Sequence, residues 1–512
     1  MNFPARNTRP LALVILDGWG YAPRTDSNAI ALAHTPFYDE ICRKYPMTTL
    51  AAAGEAIGQA ADAPGNAEIG HLNLGTGRVA ETELSRIRKA IACGSFAENP
   101  VLTRAFAKAK QTNSGVHLVG LLSDGGMHSS IDSLFALLRM AKAHGVDNVF
   151  IHAILDGLDV PERTADVYVE ALEIKLADIG VGKIASLCGR FFAMDAGGHW
   201  ERTARAFTML VHAEGERTTD AVSSIRNSFL RGISDEFIAP IIVEKAPDVP
   251  VATVNNGDLV IFFNHRADAM RQLVRSLCLP GGAGAKPSID TVCVTEYDRS
   301  FNLPAAFRQE PERNTLTSVL SEMQVPVAKI TESARFAHLM NYFDGGTDDQ
   351  FDSEEQVVLS TAAPAELWPE SQSYKLADRF IQSLESSPNG VFVINLPAAD
   401  IAAETGDLSR TIAAIRYMDT CLGGICEAAE DAGGTVLVTS SHGLCEEIAD
   451  FRMGESKATS TANRVPLHFI DFAGQAPHLR ENGLLADVAP TILGVLGIDK
   501  PAEMTGSDLR VM

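Results

Sequence analysis

GNAEIGHLNLGTGR, residues 65–78, is the stretch that decides the fold. Glycine occupies positions 65, 70, 75 and 77, with Asn66, His71 and Asn73 between them. Because glycine tolerates positive φ and close backbone approach, the segment is predicted to be a loop whose backbone can surround an anion. A small buried turn in a large α/β protein has the same composition, so the string alone leaves both interpretations open.

The composition is that of an ordinary globular protein and limits its partners. The chain has 512 residues, enough for two or more domains, and 46% of them are hydrophobic. The net charge of −22 argues against nucleic-acid binding, which needs basic surface to neutralise phosphate. The eight cysteines include no CxxC pair, and no apolar run has the ~18–20 residues of a membrane span. We therefore expect a cytoplasmic protein with no nucleic-acid or membrane partner.

Short apolar runs that end in polar, glycine-containing turns recur along the chain. Examples are LALVIL (11–16), which ends at Asp17-Gly18, VFIHAIL (149–155) and VFVIN (391–395). Helical spacing of apolar residues is predicted over 28–44, 131–144, from about 165, and over 409–429. This alternation predicts an α/β fold with mostly parallel sheets, whose ligands gather at the carboxyl ends of the strands.

Several strings are similar, in spelling and order, to those of one enzyme family. They are VILDGWG (14–20), the stretch 65–78, LLSDGGMHSS (121–130), ILDGLDV (154–160), GRFFAMD (189–195) and DVAPTILGVLGI (487–498). Over nearly its whole length the chain resembles the cofactor-independent (2,3-bisphosphoglycerate-independent) phosphoglycerate mutases of the alkaline phosphatase superfamily. The resemblance implies an alkaline-phosphatase-like domain split into 1–80 and 316–512. A phosphotransferase-like α/β domain, 81–315, is inserted on two hinges that close over substrate.

The resemblance also implies a catalytic site with two divalent ions, usually manganese, and a serine that takes up phosphate. Ala67 stands at the position of that serine, and a methyl group has no oxygen with which to attack phosphorus. Asp17, Asp400 and His442 keep the residues that the family uses as metal ligands.

The remaining ligand positions differ from the family. Glu404 replaces a histidine and can still bind a hard cation, whereas Ser441 and Ser460 replace an aspartate and a histidine and are poor neutral ligands. Loss of several ligands weakens metal binding. Ser441 in place of an aspartate, and Ala67 in place of a serine that is phosphorylated, also remove negative charge that the ions would balance. We therefore expect either no metal or one weakly bound divalent ion.

The predicted substrate pocket keeps part of the family pattern. The retained positions, which in the family hold phosphoglycerate or carry the acid–base role, are His128, Asp159, Arg190 and Arg266. The positions at which family arginines are replaced are Leu158, Ala196 and Ala269. Arg335 replaces a lysine that touches the phosphoserine and keeps the charge with a different geometry. Because arginine clamps fix phosphate and carboxylate, we expect weak binding of phosphoglycerate.

Three functions are compatible with these residues. The first is a homologue without mutase activity that has a binding, regulatory or structural role. Its partner would be a small anionic metabolite or an unknown protein. The second is an enzyme with altered metal-assisted chemistry on a small phosphorylated or phosphonate metabolite. The third is a working mutase that interconverts 3- and 2-phosphoglycerate, which requires another nucleophile. The resemblance implies a monomer.

Overall fold

The structure is a computed structural model of the chain. It describes residues 9–23, 26–59, 61–279, 286–308, 311–347, 349–360, 370–450, 455–456, 459–474 and 477–511. The chain folds into two compact units: Met1–Thr82 together with Glu310–Met512, and Glu83–Gln309. The second unit therefore lies in sequence between two segments of the first.

The first unit is built on an eight-stranded sheet. In spatial order its strands are Glu354–Leu359, Val327–Glu332, Val391–Leu396, Leu11–Leu16, Thr435–Thr439, Val465–Asp471, Met47–Ala51 and Gly483–Leu484. The first five strands are parallel, whereas Val465–Asp471 is antiparallel to both of its neighbours. The helices described in this unit are Ala29–Leu32, Pro36–Lys44, Ala67–Thr76, Leu316–Glu322, Glu370–Ser386, Ala398–Ala403, Leu408–Asp431 and Val488–Val495, with short helical turns at Gly54–Ile57, Ser333–Arg335, His338–Tyr342 and Leu485–Asp487.

The strand Leu11–Leu16 shows why this sheet is buried on both faces. Successive side chains of a strand point to opposite faces. Ala12, Val14 and Leu16 belong to one apolar core, and Leu11, Leu13 and Ile15 belong to another. Helices cover both faces of a parallel sheet, so the strand is a continuous apolar run. The predicted buried parallel strand is confirmed.

The second unit has a nine-stranded sheet of its own. Along the main path the strands are Ala305–Phe307, Asp290–Thr295, Leu259–Phe262, Val116–Leu121, Val149–Leu155, Lys183–Gly189, Ile241–Ala246 and Glu216–Thr218, and Val249–Pro250 pairs with Ile241–Ala246. The first six are parallel, and Ile241–Ala246 is antiparallel to Lys183–Gly189. The helices described here are Glu83–Cys93, Pro100–Thr112, Ile131–Ala143, Ala165–Ile179, Arg190–Ala193, Trp200–His212, Ala221–Leu230 and Arg271–Cys278, with helical turns at Ser95–Glu98, Asp235–Phe237, Asp268–Met270 and Arg299–Phe301.

The glycine-rich stretch 65–78 is a buried helix rather than the predicted loop. The helix spans Ala67–Thr76, Asn66 caps its amino end, and Gly77 closes it at φ 62°. A Cβ atom on Gly70 would lie 2.2 Å from the Ser441 carbonyl oxygen. One on Gly75 would lie 1.9 Å from the carbonyl oxygen of Phe343. The internal glycines therefore let the helix approach neighbouring backbone closely, and only Gly77 needs its conformational freedom.

The single helix predicted over 28–44 is divided into Ala29–Leu32 and Pro36–Lys44. Proline disfavours the helical conformation of the residue before it, and Thr35 accordingly has φ −126° and ψ 64°. The helices predicted over 131–144, from 165 and over 409–429 are present as Ile131–Ala143, Ala165–Ile179 and Leu408–Asp431. Among the residues that the structure describes, no helix is long and apolar enough to cross a membrane.

Candidate functional site

The candidate site of the first unit lies where neighbouring parallel strands end. Its members lie within four residues of the ends of these strands: Asp17 after Leu11–Leu16, Asp400 after Val391–Leu396, Ser441 after Thr435–Thr439 and Arg335 after Val327–Glu332. Since the strands are parallel neighbours, their carboxyl ends meet at one edge of the sheet. The topology thus brings together residues that are up to 424 positions apart in sequence.

Asp17 is fully buried and accepts hydrogen bonds from neutral donors. The Asn395 side-chain amide donates to Oδ2 at 2.9 Å, and the Ser441 hydroxyl donates to Oδ1 at 2.5 Å. The same hydroxyl lies 2.9 Å from Nδ1 of His442. Because its proton points to the carboxylate, the Ser441 oxygen accepts a hydrogen bond from His442.

His442 connects this serine to a second carboxylate. Its Nε2 atom lies 3.0 Å from Oδ1 of Asp400. Burial opposes the charged form, but the charge and the hydrogen bond of Asp400 outweigh burial and raise the pKa of His442. Burial likewise opposes ionisation of Asp400, yet His442 and then Arg335 hold the pKa of this carboxyl well below its usual range. This arrangement fits a protonated imidazole whose Nδ1–H group donates to Ser441 and whose Nε2–H group donates to Asp400.

Arg335 supplies the second cation of the site. Its guanidinium donates to Oδ2 of Asp400 at 2.9 Å and to Oε1 of Glu404 at 2.6 Å. The Arg335 side chain is 15% exposed, Asp400 is 2% exposed, and Glu404 is 53% exposed. The guanidinium therefore bridges a buried carboxylate and a solvated one.

The chain segments that carry positions 67 and 460 are joined by a backbone hydrogen bond between Gly65 and Thr461. Ala67 is the half-buried first residue of the helix Ala67–Thr76. Ser460 is also half-buried, and the carbonyl of the following Thr461 accepts a hydrogen bond from the Gly65 amide at 2.8 Å.

Asp17 and two histidines beside it form a group that the sequence did not reveal. Asp17, His71 and His338 place one donor atom each within 4.8 Å of one another. The Nδ1 atom of His71 lies 2.8 Å from the Ala67 carbonyl, and Asn395 lies 3.3 Å from its Nε2 atom. Burial, reinforced by neighbouring His71, lowers the pKa of His338 to about 3, so its imidazole is neutral. A signal existed in the sequence: His71 is four positions after Ala67 and His338 three after Arg335, spacings that share a helical face.

In the second unit the structure joins three of the predicted residues. His128 Nδ1 lies 2.7 Å from Asp159 Oδ2, and Arg190 donates at 2.7 Å to both Asp156 Oδ1 and Asp159 Oδ1. Arg190 is buried, with 8% of its surface exposed. Burial raises the pKa of Asp159, but His128 and Arg190 together outweigh it and leave this pKa below the usual range. The arginine is thus held by two carboxylates of its own unit.

Arg266 belongs to a neighbouring turn and has different partners. Its Nε donates to Asp268 at 2.9 Å, and its backbone N–H donates to the His128 carbonyl. At the positions of the replaced arginines, Leu158 is 68% exposed, Ala196 is exposed and Ala269 is buried.

Known proteins are similar to this chain over almost its full length. A family profile described as "BPG-independent PGAM N-terminus (iPGM_N)" matches residues 87–299. A 2,3-bisphosphoglycerate-independent phosphoglycerate mutase from Desulforudis audaxviator is 42% identical over 507 residues, covering 98% of this chain and 99% of that protein. The chain belongs to this family. Another such mutase, from Clostridium perfringens, is 36% identical over 507 residues, with the same coverage.

The family's fold is also confirmed by a solved structure. Phosphoglycerate mutase from Leishmania mexicana, crystallised at low cobalt concentration, superposes with a TM-score of 0.78 at 25% identity. The match covers 100% of this chain and 99% of the Leishmania chain. The family resemblance and the α/β class predicted from the sequence are therefore confirmed.

Proposed function

We propose that this member of the phosphoglycerate mutase family lacks mutase activity and has a binding, regulatory or structural role. The observation that carries the proposal is Ala67 at the position of the family's nucleophilic serine. A phosphoryl group carried by the enzyme needs an oxygen to receive it. The buried Ser441 hydroxyl does not substitute, since it bonds both Asp17 and His442. Thr76 lies nine residues further along the helix, about 13 Å away, and donates to the Leu72 carbonyl.

The charges around the family's metal positions support the same proposal. The Arg335 guanidinium already pairs with the carboxylates of Asp400 and Glu404, and His442 also binds Asp400. Two manganese ions would add four positive charges beside that guanidinium. They would also displace this guanidinium from Asp400 and Glu404, which both stand at ligand positions that the family resemblance implies.

The donor atoms at these positions do not fit two ions either. Ala67 offers no donor, Ser441 and Ser460 offer neutral hydroxyls, and hydroxyls are weak ligands next to carboxylate and imidazole. Loss of the groups that hydrogen-bond to a metal's ligands already costs about 10–100-fold in affinity or activity, and loss of the ligands themselves costs more. We therefore derive no step of phosphoryl transfer through a metal pair in this chain.

The proposed partner is a small anionic metabolite or another protein, bound by a monomer in the cytoplasm. An excess of 65 acidic over 43 basic residues supports the exclusion of nucleic acid. In the second unit, Leu158 and Ala196 are both exposed and stand where the family resemblance implies arginines, so a ligand there meets fewer positive charges than the family's pocket offers.

A second candidate function is metal-assisted chemistry on a small phosphorylated or phosphonate metabolite. It is favoured by one observation: Asp17, His71 and His338 offer a carboxylate and two imidazoles within 4.8 Å of one another. A site of this kind needs neither a phosphorylatable serine nor a second ion.

The test of the proposed function is formation of a phosphoprotein. The purified chain is incubated with 3-phosphoglycerate and Mn²⁺ or Co²⁺, and its intact mass and incorporated ³²P are measured beside a family member that carries the serine. We expect labelling of the serine-containing relative and none of this chain. Stoichiometric labelling of this chain at any hydroxyl would overturn the proposal.

A further inference from the structure

We propose that the first unit binds a single first-row transition-metal dication at Asp17, His71 and His338, with Asn395 as a fourth ligand. Only Asp17 is shared with the ligand positions that the family resemblance implies. The inference stands independently of whether the chain has mutase activity.

The spacing of the donor atoms is close to that of a coordination sphere. Two ligands of a tetrahedral ion with bonds of about 2.1 Å stand about 3.4 Å apart. Nε2 of His71 and Oδ1 of Asp17 are 3.7 Å apart, and the three donor atoms lie within 4.8 Å of one another. Side-chain adjustments of about 1 Å or less would close this group around an ion.

Both imidazoles are prepared for coordination. Nδ1 of His71 donates to the Ala67 carbonyl at 2.8 Å, so the lone pair resides on Nε2, the atom that faces Asp17. A histidine ligand is commonly oriented by a backbone carbonyl in this way. Nδ1 of His338 is buried and has no hydrogen-bond partner within the described residues, although its ring lies 5.3 Å from that of His71.

Asn395 provides an independent observation that points to a ligand. Its side chain is fully buried, and its Oδ1 atom has no partner among the residues that the structure describes. Its Nδ2 atom lies 2.9 Å from Asp17 Oδ2 and 3.3 Å from His71 Nε2. The two orientations of a side-chain amide are related by a 180° rotation. After that rotation Oδ1 would stand at ligand spacing from both neighbours and would bind the ion, while Nδ2 would take the position in which Oδ1 now has no described partner.

The surrounding charges favour one cation at this point. Arg335 pairs with Asp400 and Glu404, and His442 donates to Asp400, whereas Asp17 receives neutral donors directly. A dication beside Asp17 would therefore compensate the remaining negative charge. Two imidazoles, a carboxylate and an amide oxygen favour Zn²⁺ or Co²⁺ over Mg²⁺ or Ca²⁺.

The experiment is metal titration of the full chain after removal of metals with a chelator. Isothermal titration with Zn²⁺ and the visible spectrum of the Co²⁺ form are recorded for the unsubstituted protein and for His338→Ala and Asn395→Leu. We expect one equivalent of Zn²⁺, a d–d spectrum of a site with nitrogen ligands, at least 10-fold weaker binding after His338→Ala, and a changed spectrum after Asn395→Leu.

A further variant makes the result specific. His478→Ala removes an exposed histidine of the same unit and is expected to leave the Zn²⁺ affinity unchanged within about 2-fold. Glu404→Gln is measured beside it, because a loss of affinity in that variant would place the ion at the family's ligand positions instead. Circular dichroism verifies that every variant is folded. If His338→Ala does not fold, His338→Gln takes its place in the titration.

Three results would overturn the inference. They are no Zn²⁺ binding, binding that His338 variants do not weaken, and two equivalents whose affinity depends on Glu404. The proposed function fails separately, through a phosphoprotein or through formation of 2-phosphoglycerate, so the two failures are distinguishable.

Discussion

Replacing Arg335 by methionine tests whether its guanidinium neutralises Asp400 and Glu404 in place of the metal ion that the family resemblance implies there. The Arg335→Met change keeps much of the side-chain volume and removes the charge. Asp400 is almost completely buried and, among the described residues, would keep its pair with His442. Glu404 is 53% exposed and can be solvated by water.

The expected loss of stability follows from these exposures. Breaking a buried ion pair by removal of one partner costs about 3–5 kcal/mol. An exposed pair contributes about 0–1 kcal/mol, so Glu404 adds little. Because His442 still pairs with Asp400, we expect a loss near the lower end, about 3 kcal/mol, in metal-free buffer.

A divalent ion should offset part of this loss in the variant. An ion present at 100 times its dissociation constant stabilises the folded state by about 2.7 kcal/mol. We therefore expect Mn²⁺ to stabilise Arg335→Met more than the unsubstituted protein, because the vacated carboxylates can bind it.

Urea unfolding followed by circular dichroism, with and without Mn²⁺, measures both effects. Arg379→Met is the matched control, since Arg379 is exposed and donates to Gln382 in the same helix. The reasoning is refuted if Arg335→Met unfolds at the same urea concentration as the control, or if Mn²⁺ stabilises both proteins equally.

Three further predictions concern separate parts of the molecule. Lys329 is fully buried and pairs with Asp344, so Lys329→Met should cost about 3–5 kcal/mol in urea unfolding, and a loss below 1 kcal/mol would contradict this. Ala67→Ser should restore no mutase activity in a coupled assay, since several metal ligands remain replaced. Recovered turnover would show that the remaining ligands suffice. Burial alone would raise the pKa of Asp159, but the hydrogen bond and the charge of His128 help to lower it. This carboxylate should therefore stabilise the fold fully above pH ~3.9 and lose that contribution as the pH falls through the lowered value, so identical acid unfolding of Asp159→Asn would exclude the effect.

The fold and part of the site followed from local patterns. A run such as Leu11–Leu16, apolar on both faces, fits only an element buried on both sides, and the acid after it had to lie at a strand end. The family strings then connected Asp17 to other strand ends across the chain. Those inferences need only the sequence, because each depends on neighbours within a few residues or on an ordered set of motifs.

The rest depended on contacts between distant residues. Gly70 and Gly75 suggested a loop, but their role is to admit neighbouring backbone against a helix, and no local pattern shows which backbone is near. The pairing of Arg335 with Asp400 joins residues 65 positions apart, and the grouping of His71 with His338 arises from packing across the sheet edge.

The most direct measurement of the central claim is the conversion of 3-phosphoglycerate, followed by ³¹P nuclear magnetic resonance. The purified full chain is supplied with Mn²⁺ or Co²⁺ at neutral pH, and the Asp17→Asn and His442→Ala variants serve as comparisons. The account predicts no 2-phosphoglycerate from any of the three proteins. Steady formation of 2-phosphoglycerate by the unsubstituted chain, abolished in both variants, would contradict it.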